Sequence, residues 1–136
     1  MNRPRVLLAD DHVPLLEAAS ALLRSEFEVI GTAQDGAALV AEALRLRPDV
    51  IVADITMPGL NGIEAVRQLR DSGSAAKLVF LTVHTETEFV NECVGVGAAG
   101  YVVKSRMKAH LIPAIRAALA GAVYIYRSDA AAGVSK

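Results

Sequence analysis

The strongest constraint on the fold is an alternation. Short β-rich apolar runs stand at VLLA (6–9), FEVIGTA (27–33), VIVA (50–53), KLVFLT (77–82) and YVV (101–103). Between them lie Ala- and Leu-rich stretches, 13–25, 37–47, 62–71, 86–96 and about 107–120, whose apolar residues recur at helical spacing. The runs are too short for core helices, and most are apolar on successive residues, as in strands covered on both faces. Strict strand-helix alternation requires right-handed crossovers, so the expected fold is a three-layer α/β domain with a parallel sheet between helices.

A chain of 136 residues, 53% of them hydrophobic, supports one core and no second domain. With 14 Lys and Arg against 15 Asp and Glu, no global field favours nucleic acid or an anionic membrane, and charge must be read locally. The lone Cys93 excludes an internal disulfide, MNRPRV lacks a signal-peptide core, and no apolar run reaches about 18 residues. A soluble cytoplasmic protein without membrane contact is the expectation. After Gly121 the pattern fades into AVYIYRSDAAAGVSK, so residues 1–121 read as the folded domain and 122–136 as a linker or frayed tail. Pro113 breaks the helical rule inside the last stretch, which must start later or bend there.

Open parallel sheets bind ligands beyond the carboxyl ends of their strands, so the five strand ends are the candidate site. The first run ends in Asp10 and Asp11, the third in Asp54, the fourth in Thr82 and the fifth in Lys104, while the second ends in Thr32-Ala33-Gln34. Three crowded carboxylates need a cation to stay ionised, and an all-oxygen set favours Mg²⁺ or Mn²⁺ over Zn²⁺. Lys104 as a point charge and Thr82 as a donor suit a phosphoryl group, and Asp54 becomes the nucleophile that accepts it. Each residue alone has a plainer reading: Asp54 as a turn or cap residue, Asp10 or Asp11 as a cap for the helix near Val13, Lys104 as a solvated strand end.

LLADDH (7–12), DITMPGLNG (54–62), FLTVH (80–84) and GAAGYVVKS (97–105) together resemble the receiver domain of two-component response regulators over residues 4 to 121. The details of these motifs are similar to the LuxR/FixJ/NarL-type subgroup, which carries a helix-turn-helix output domain. The resemblance implies a flavodoxin-like (βα)5 fold with strand order 2-1-3-4-5. It implies Asp54 as phosphoacceptor, with Asp11, Asp54 and the Thr56 backbone carbonyl as Mg²⁺ ligands and Asp10 acting partly through a metal-bound water. Lys104 and the Thr82 hydroxyl would contact the phosphoryl oxygens, Tyr101 would be the aromatic switch, and Thr56 and His84 would tune phosphoryl lifetime. A sensor histidine kinase is the implied donor, with small acyl phosphates as a second source. The implied outputs are a phosphorylation-dependent homodimer, through the fourth and fifth or the first and fifth helices, and control of transcription through an attached DNA-binding domain. The chain departs from the common pattern at Lys104-Ser105, where many receivers have Lys-Pro with a cis peptide.

Other readings fit less well. GVGAAG (95–100) matches a dinucleotide fingerprint by letters but ends a helix instead of opening one, so it reads as a helix C-cap and loop. A haloacid-dehalogenase-like phosphohydrolase needs an acid two residues after its nucleophile, where this chain has Thr56. A flavin carrier needs a Ser, Thr and Gly-rich loop where Asp10, Asp11 and His12 stand, and a pseudo-receiver would lack part of the acidic set. A stand-alone receiver working by protein contacts remains an alternative to one with an output domain, and residues 1–136 alone should not bind DNA specifically. His12 reads as a solvent-facing helix start, His110 as surface and Cys93 as core filler on the fourth helix.

Overall fold

The computed structural model describes residues 3–126 and 133–135. In chain order it contains β1 (Arg5–Ala9), α1 (Val13–Leu23), β2 (Glu28–Ala33), α2 (Gly36–Leu46), β3 (Val50–Ala53), α3 (Gly62–Asp71) and β4 (Lys77–Thr82). There follow α4 (Thr87–Gly95), β5 (Gly100–Val103), one 3-10 turn (Lys104–Arg106), α5 (Met107–Leu119), β6 (Val123–Tyr126) and β7 (Gly133–Ser135). The strands form one sheet in the order β2-β1-β3-β4-β5-β6-β7, parallel throughout except for the β6–β7 pair.

Successive strand residues serve opposite layers, which is why the runs are apolar without alternation. Leu7, Ile51, Leu78, Phe80 and Tyr101 pack with Leu39, Val66, Leu69 and Val90 from α2, α3 and α4. Val6, Leu8, Val52, Val79 and Val102 pack with Leu16, Ala19, Leu111 and Ile115 from α1 and α5. Helices α2 and α3 start where a side chain takes an orphan N–H group: Asp35 accepts from Ala38 N at 2.8 Å, and Asn61 from Glu64 N at 2.9 Å.

Two sequence expectations change. The order 2-1-3-4-5 holds for the first five strands, but the sheet does not stop there. VYIY, inside the stretch read as a tail, runs parallel beside β5 with Tyr101 opposite Ile125. Its residues split between the layers, Ile125 against one core and Tyr124 against the other, and Tyr126 is buried. The Ala, Gly and Ser of the surrounding segment masked four residues of high β propensity. Of the same tail, residues 127–132 and 136 lie outside the described residues.

Helix α5 begins at Met107 and runs through Pro113 to Leu119, so it does not start later; position 113 simply has no N–H to offer the Ala109 carbonyl. GVGAAG closes α4 and leads into β5, with Gly97 at φ +88° supplying the left-handed turn that glycine takes without strain.

Cys93 is fully buried on α4, and burial pushes its thiol up to about 12. The folded state therefore favours the neutral thiol, a contribution present below the unfolded value near 9 and lost as pH rises from there toward 12. Native protein is expected to react with a thiol reagent at neutral pH at least about a hundredfold more slowly than urea-unfolded protein. Equal labelling rates would contradict this placement.

Candidate phosphoacceptor site

Strand register builds the site. Ala9 pairs with Ala53 and Thr82 with Val103, so β1, β3, β4 and β5 end at neighbouring levels. The next residues of three of them, Asp10, Asp54 and Lys104, therefore emerge side by side. Backbone bonds extend the ladder past the strand ends, Asp54 N to Ala9 O at 3.0 Å and Asp10 N to Ala33 O at 2.9 Å.

The Lys104 ammonium lies 2.7 Å from Asp10 Oδ2 and 2.8 Å from Asp54 Oδ2. The second oxygen of each acid takes a backbone donor, Asp10 Oδ1 from His12 N at 2.9 Å and Asp54 Oδ1 from Ile55 N at 2.7 Å. Asp10 and Asp54 are buried, 2% and 5% exposed, whereas Asp11 stands at the surface. Burial alone would lower the Lys104 ammonium; the hydrogen bonds to Asp10 and Asp54 outweigh it and hold the group above its usual value.

One oxygen each from Asp10, Asp11 and Asp54 lies within 4.8 Å of the others, a separation one cation can span. Three carboxylates of hard oxygen and no nitrogen or sulfur donor fit Mg²⁺ chemistry. They also sit at one open edge of the sheet, where a phosphate can share the ion.

Thr82 ends β4 fully buried, and its hydroxyl oxygen is 3.4 Å from His84 N, a long contact. Tyr101 is 1% exposed and its hydroxyl donates to His84 O at 2.8 Å, so the aromatic expected as a switch is turned inward. Thr56 Oγ1 and His84 Nε2 are 2.8 Å apart, and the His84 ring stacks on Phe89 of α4 with centroids 4.2 Å apart. The residues expected from sequence thus fall into two groups: Asp10, Asp11, Asp54 and Lys104 at the carboxylate cluster, and Thr56, Thr82 and Tyr101 meeting at His84. The Lys104-Ser105 peptide is trans.

Sequence reasoning missed three things. Phe89, which seats His84, carries no signal beyond an apolar position on a short helix. His110, expected at the surface, is half-buried, stacked on Tyr126 at 3.6 Å with Nδ1 2.6 Å from the Tyr124 hydroxyl, because β6 covers that side of α5. His12 is exposed as expected, and its backbone, not its ring, serves the site. The third is Gly62, which looked like an ordinary helix start: a Cβ there would meet the Asp54 carbonyl oxygen at 2.0 Å. The chain leaving Asp54 folds back so that Gly62 N donates to Ile55 O at 2.7 Å, and only a bare Cα fits. Gly62→Ala is expected to cost about 1–3 kcal/mol in urea unfolding by forcing the 54–62 loop outward; an unchanged midpoint would show that the loop is not held this way.

A family model described as response regulator receiver domain matches residues 6–116. The chain belongs to that family. Receiver relatives include the transcriptional regulatory protein LiaR of Bacillus subtilis (strain 168), 40% identical over 119 residues, 86% of this chain and 56% of LiaR. The response regulator GacA of Pseudomonas viridiflava is 37% identical over 123 residues, 89% of this chain and 58% of GacA. The chain thus spans little more than half of these curated relatives. A LuxR-family two-component response regulator from Aurantimonas sp. SI85-9A1 has a similar structure, TM-score 0.86 at 35% identity, covering 94% of this chain and 92% of that one. The signal receiver domain of the NarL response regulator from Mycobacterium tuberculosis gives TM-score 0.84 at 27% identity, with 89% and 99% covered. These neighbours match the LuxR/NarL-type resemblance of the motifs. As a receiver, the chain is a signalling domain of two-component systems, and among its described residues no helix is long and apolar enough to cross a membrane.

Proposed function

We propose that this receiver accepts a phosphoryl group on Asp54 from the phosphohistidine of a sensor kinase, or from a small acyl phosphate, with Mg²⁺ required. The observation that carries the proposal is Lys104 bridging Asp10 and Asp54 while Asp11 completes the acidic trio. Asp10, Asp11, Asp54 and the Thr56 carbonyl would hold Mg²⁺, which when bound neutralises charge on the transferring group. Asp54 forms the new O–P bond as the P–N bond of the donor breaks and the imidazole leaves. Lys104 meets the phosphoryl oxygens as a point charge, and the Thr82 hydroxyl donates to one of them. Attack of water later releases phosphate and restores the carboxylate.

The signal then leaves through His84. Its backbone oxygen binds Tyr101, its ring binds Thr56 and rests on α4, so a shift of Thr82 toward the phosphoryl group moves a loop already tied to α4 and β5. The result is a shifted two-state equilibrium in a partner surface. Control of a DNA-binding output domain is the readout that the transcriptional relatives support, and homodimerisation is a second readout of the same proposal.

Intact-mass analysis after acetyl phosphate and Mg²⁺ is expected to show one added phosphoryl group, and EDTA to prevent it. Uptake that ignores EDTA would contradict the metal requirement. Asp11→Ala removes the surface ligand while sparing the buried Lys104 bridge, so Mg²⁺ affinity is expected to fall at least about tenfold with the fold intact. An unchanged Mg²⁺ titration would remove Asp11 from the ligand set.

A further inference from the structure

A broad groove lies at the opposite pole of the sheet from Asp54. It has a volume of about 1050 Å³ and runs between the starts of β1 and β4, the end of α2, the 72–76 loop and Leu119. Arg3, Arg5, Arg47 and Lys77 line it against a single carboxylate, Asp49, on a chain whose formal net charge is -1.

This basic lining is built rather than incidental. One oxygen of the Asp49 carboxylate, Oδ2, accepts from Arg5 N at 2.8 Å. The Arg5 guanidinium donates to Arg47 O at 2.9 Å, which joins two of the cations through the backbone. Arg70 donates to Ser74 O at 3.1 Å and Ala76 O at 2.8 Å, pinning the loop that forms the opposite wall. Arg47 follows α2 at φ 50°, the sole non-glycine with positive φ among the described residues. Glycine or asparagine is the usual choice at that position, so the chain accepts backbone strain and keeps a guanidinium at the groove. Among the described residues no hydrogen bond or ion pair engages the side chains of Arg47 and Lys77.

We propose that this groove binds a small organic phosphate of nucleotide size. Guanidinium groups match phosphate oxygens in pairs, and two unengaged cations facing one space complement a group of at least two negative charges. Leu44 and Leu119, 43% and 38% exposed, give an apolar surface for a ring attached to that phosphate. The volume lies just above the usual span of small-ligand sites, about 300–1,000 Å³, so a nucleotide would fit with room for water.

ATP without Mg²⁺ is the probe, followed by amide chemical shifts of the whole chain, with pyrophosphate and adenosine as separate arms. Saturable shifts at Arg47, Ser74, Lys77 and Leu119 are expected, weaker for pyrophosphate and weakest for adenosine. Arg47→Gly suits the left-handed backbone and so keeps the fold while removing the cation; it and Lys77→Ala should each weaken ATP at least about tenfold. Neither should change phosphoryl uptake from acetyl phosphate. Shifts confined to the Asp10 and Asp54 end, no saturation by about 10 mM ATP, or Arg47→Gly binding ATP as wild type does would each overturn the proposal.

Discussion

Asp54→Ala is expected to abolish phosphoryl uptake from acetyl phosphate, a loss of at least about 10⁴-fold if the bond to phosphorus forms on that carboxylate. Its neighbours do not replace it. Asp10, 2% exposed against 5% for Asp54, is held between Lys104 and His12 N much as Asp54 is held between Lys104 and Ile55 N, so the choice of Asp54 rests on its place at the head of the receiver motif DITMPGLNG. Asp11 is exposed but has no contact with Lys104 to offset the charge of a bound phosphate. The fold should survive, because Lys104 keeps Asp10 as a partner, and thermal unfolding should change by no more than about 2 kcal/mol. A variant that still gains one phosphoryl group would contradict the nucleophile assignment; one that fails to fold would contradict the view that Asp54 is not needed for stability.

Lys104→Ala is the second large effect, and its sign depends on metal. Without Mg²⁺ the change leaves two buried carboxylates facing each other with no cation, at a cost of about 2–4 kcal/mol after allowing for partial solvent access. A divalent ion between the same oxygens replaces the lost charge, so Mg²⁺ should raise the melting temperature of the variant more than that of wild type, by linkage worth about 2.7 kcal/mol at a hundred times Kd. The pH dependence follows from Lys104 sitting above its ordinary value. A cation favoured by folding contributes fully below its unfolded value of 10.5 and loses that contribution only as pH climbs through the higher folded value. The stability gap between wild type and variant should therefore stay flat from about pH 7 to 10 and close above that. Equal stability without metal, or equal Mg²⁺ shifts in both proteins, would contradict the bridging role.

Much of this was legible in the residues. Strand-end carboxylates are visible because register and topology leave them few places to go: once β1 and β3 are adjacent parallel strands ending at Ala9 and Ala53, Asp10 and Asp54 must be neighbours. Fold class followed from the same alternation of periods, and Asp35 and Asn61 sit where helix starts need oxygen acceptors. Other features depend on tertiary meetings that no local pattern encodes. His84 joins Thr56, Phe89 and Tyr101 across three segments. Gly62 is required by a backbone oxygen eight positions earlier. β6 was hidden because four strand-forming residues stand within a small-residue segment, and their value appears only beside β5, whose edge they cover. The basic groove draws on positions 3, 5, 47 and 77, too far apart in sequence to read as a charge run.

The central claim is that one carboxylate, at position 54, carries the phosphoryl group. Borohydride reduces an aspartyl phosphate to homoserine, which marks the residue with a permanent mass change. Protein treated with acetyl phosphate and Mg²⁺, reduced and digested, should yield homoserine at position 54 alone, and none when EDTA is present. Homoserine at position 10 or 11, or a phosphoryl group that resists reduction, would contradict the account.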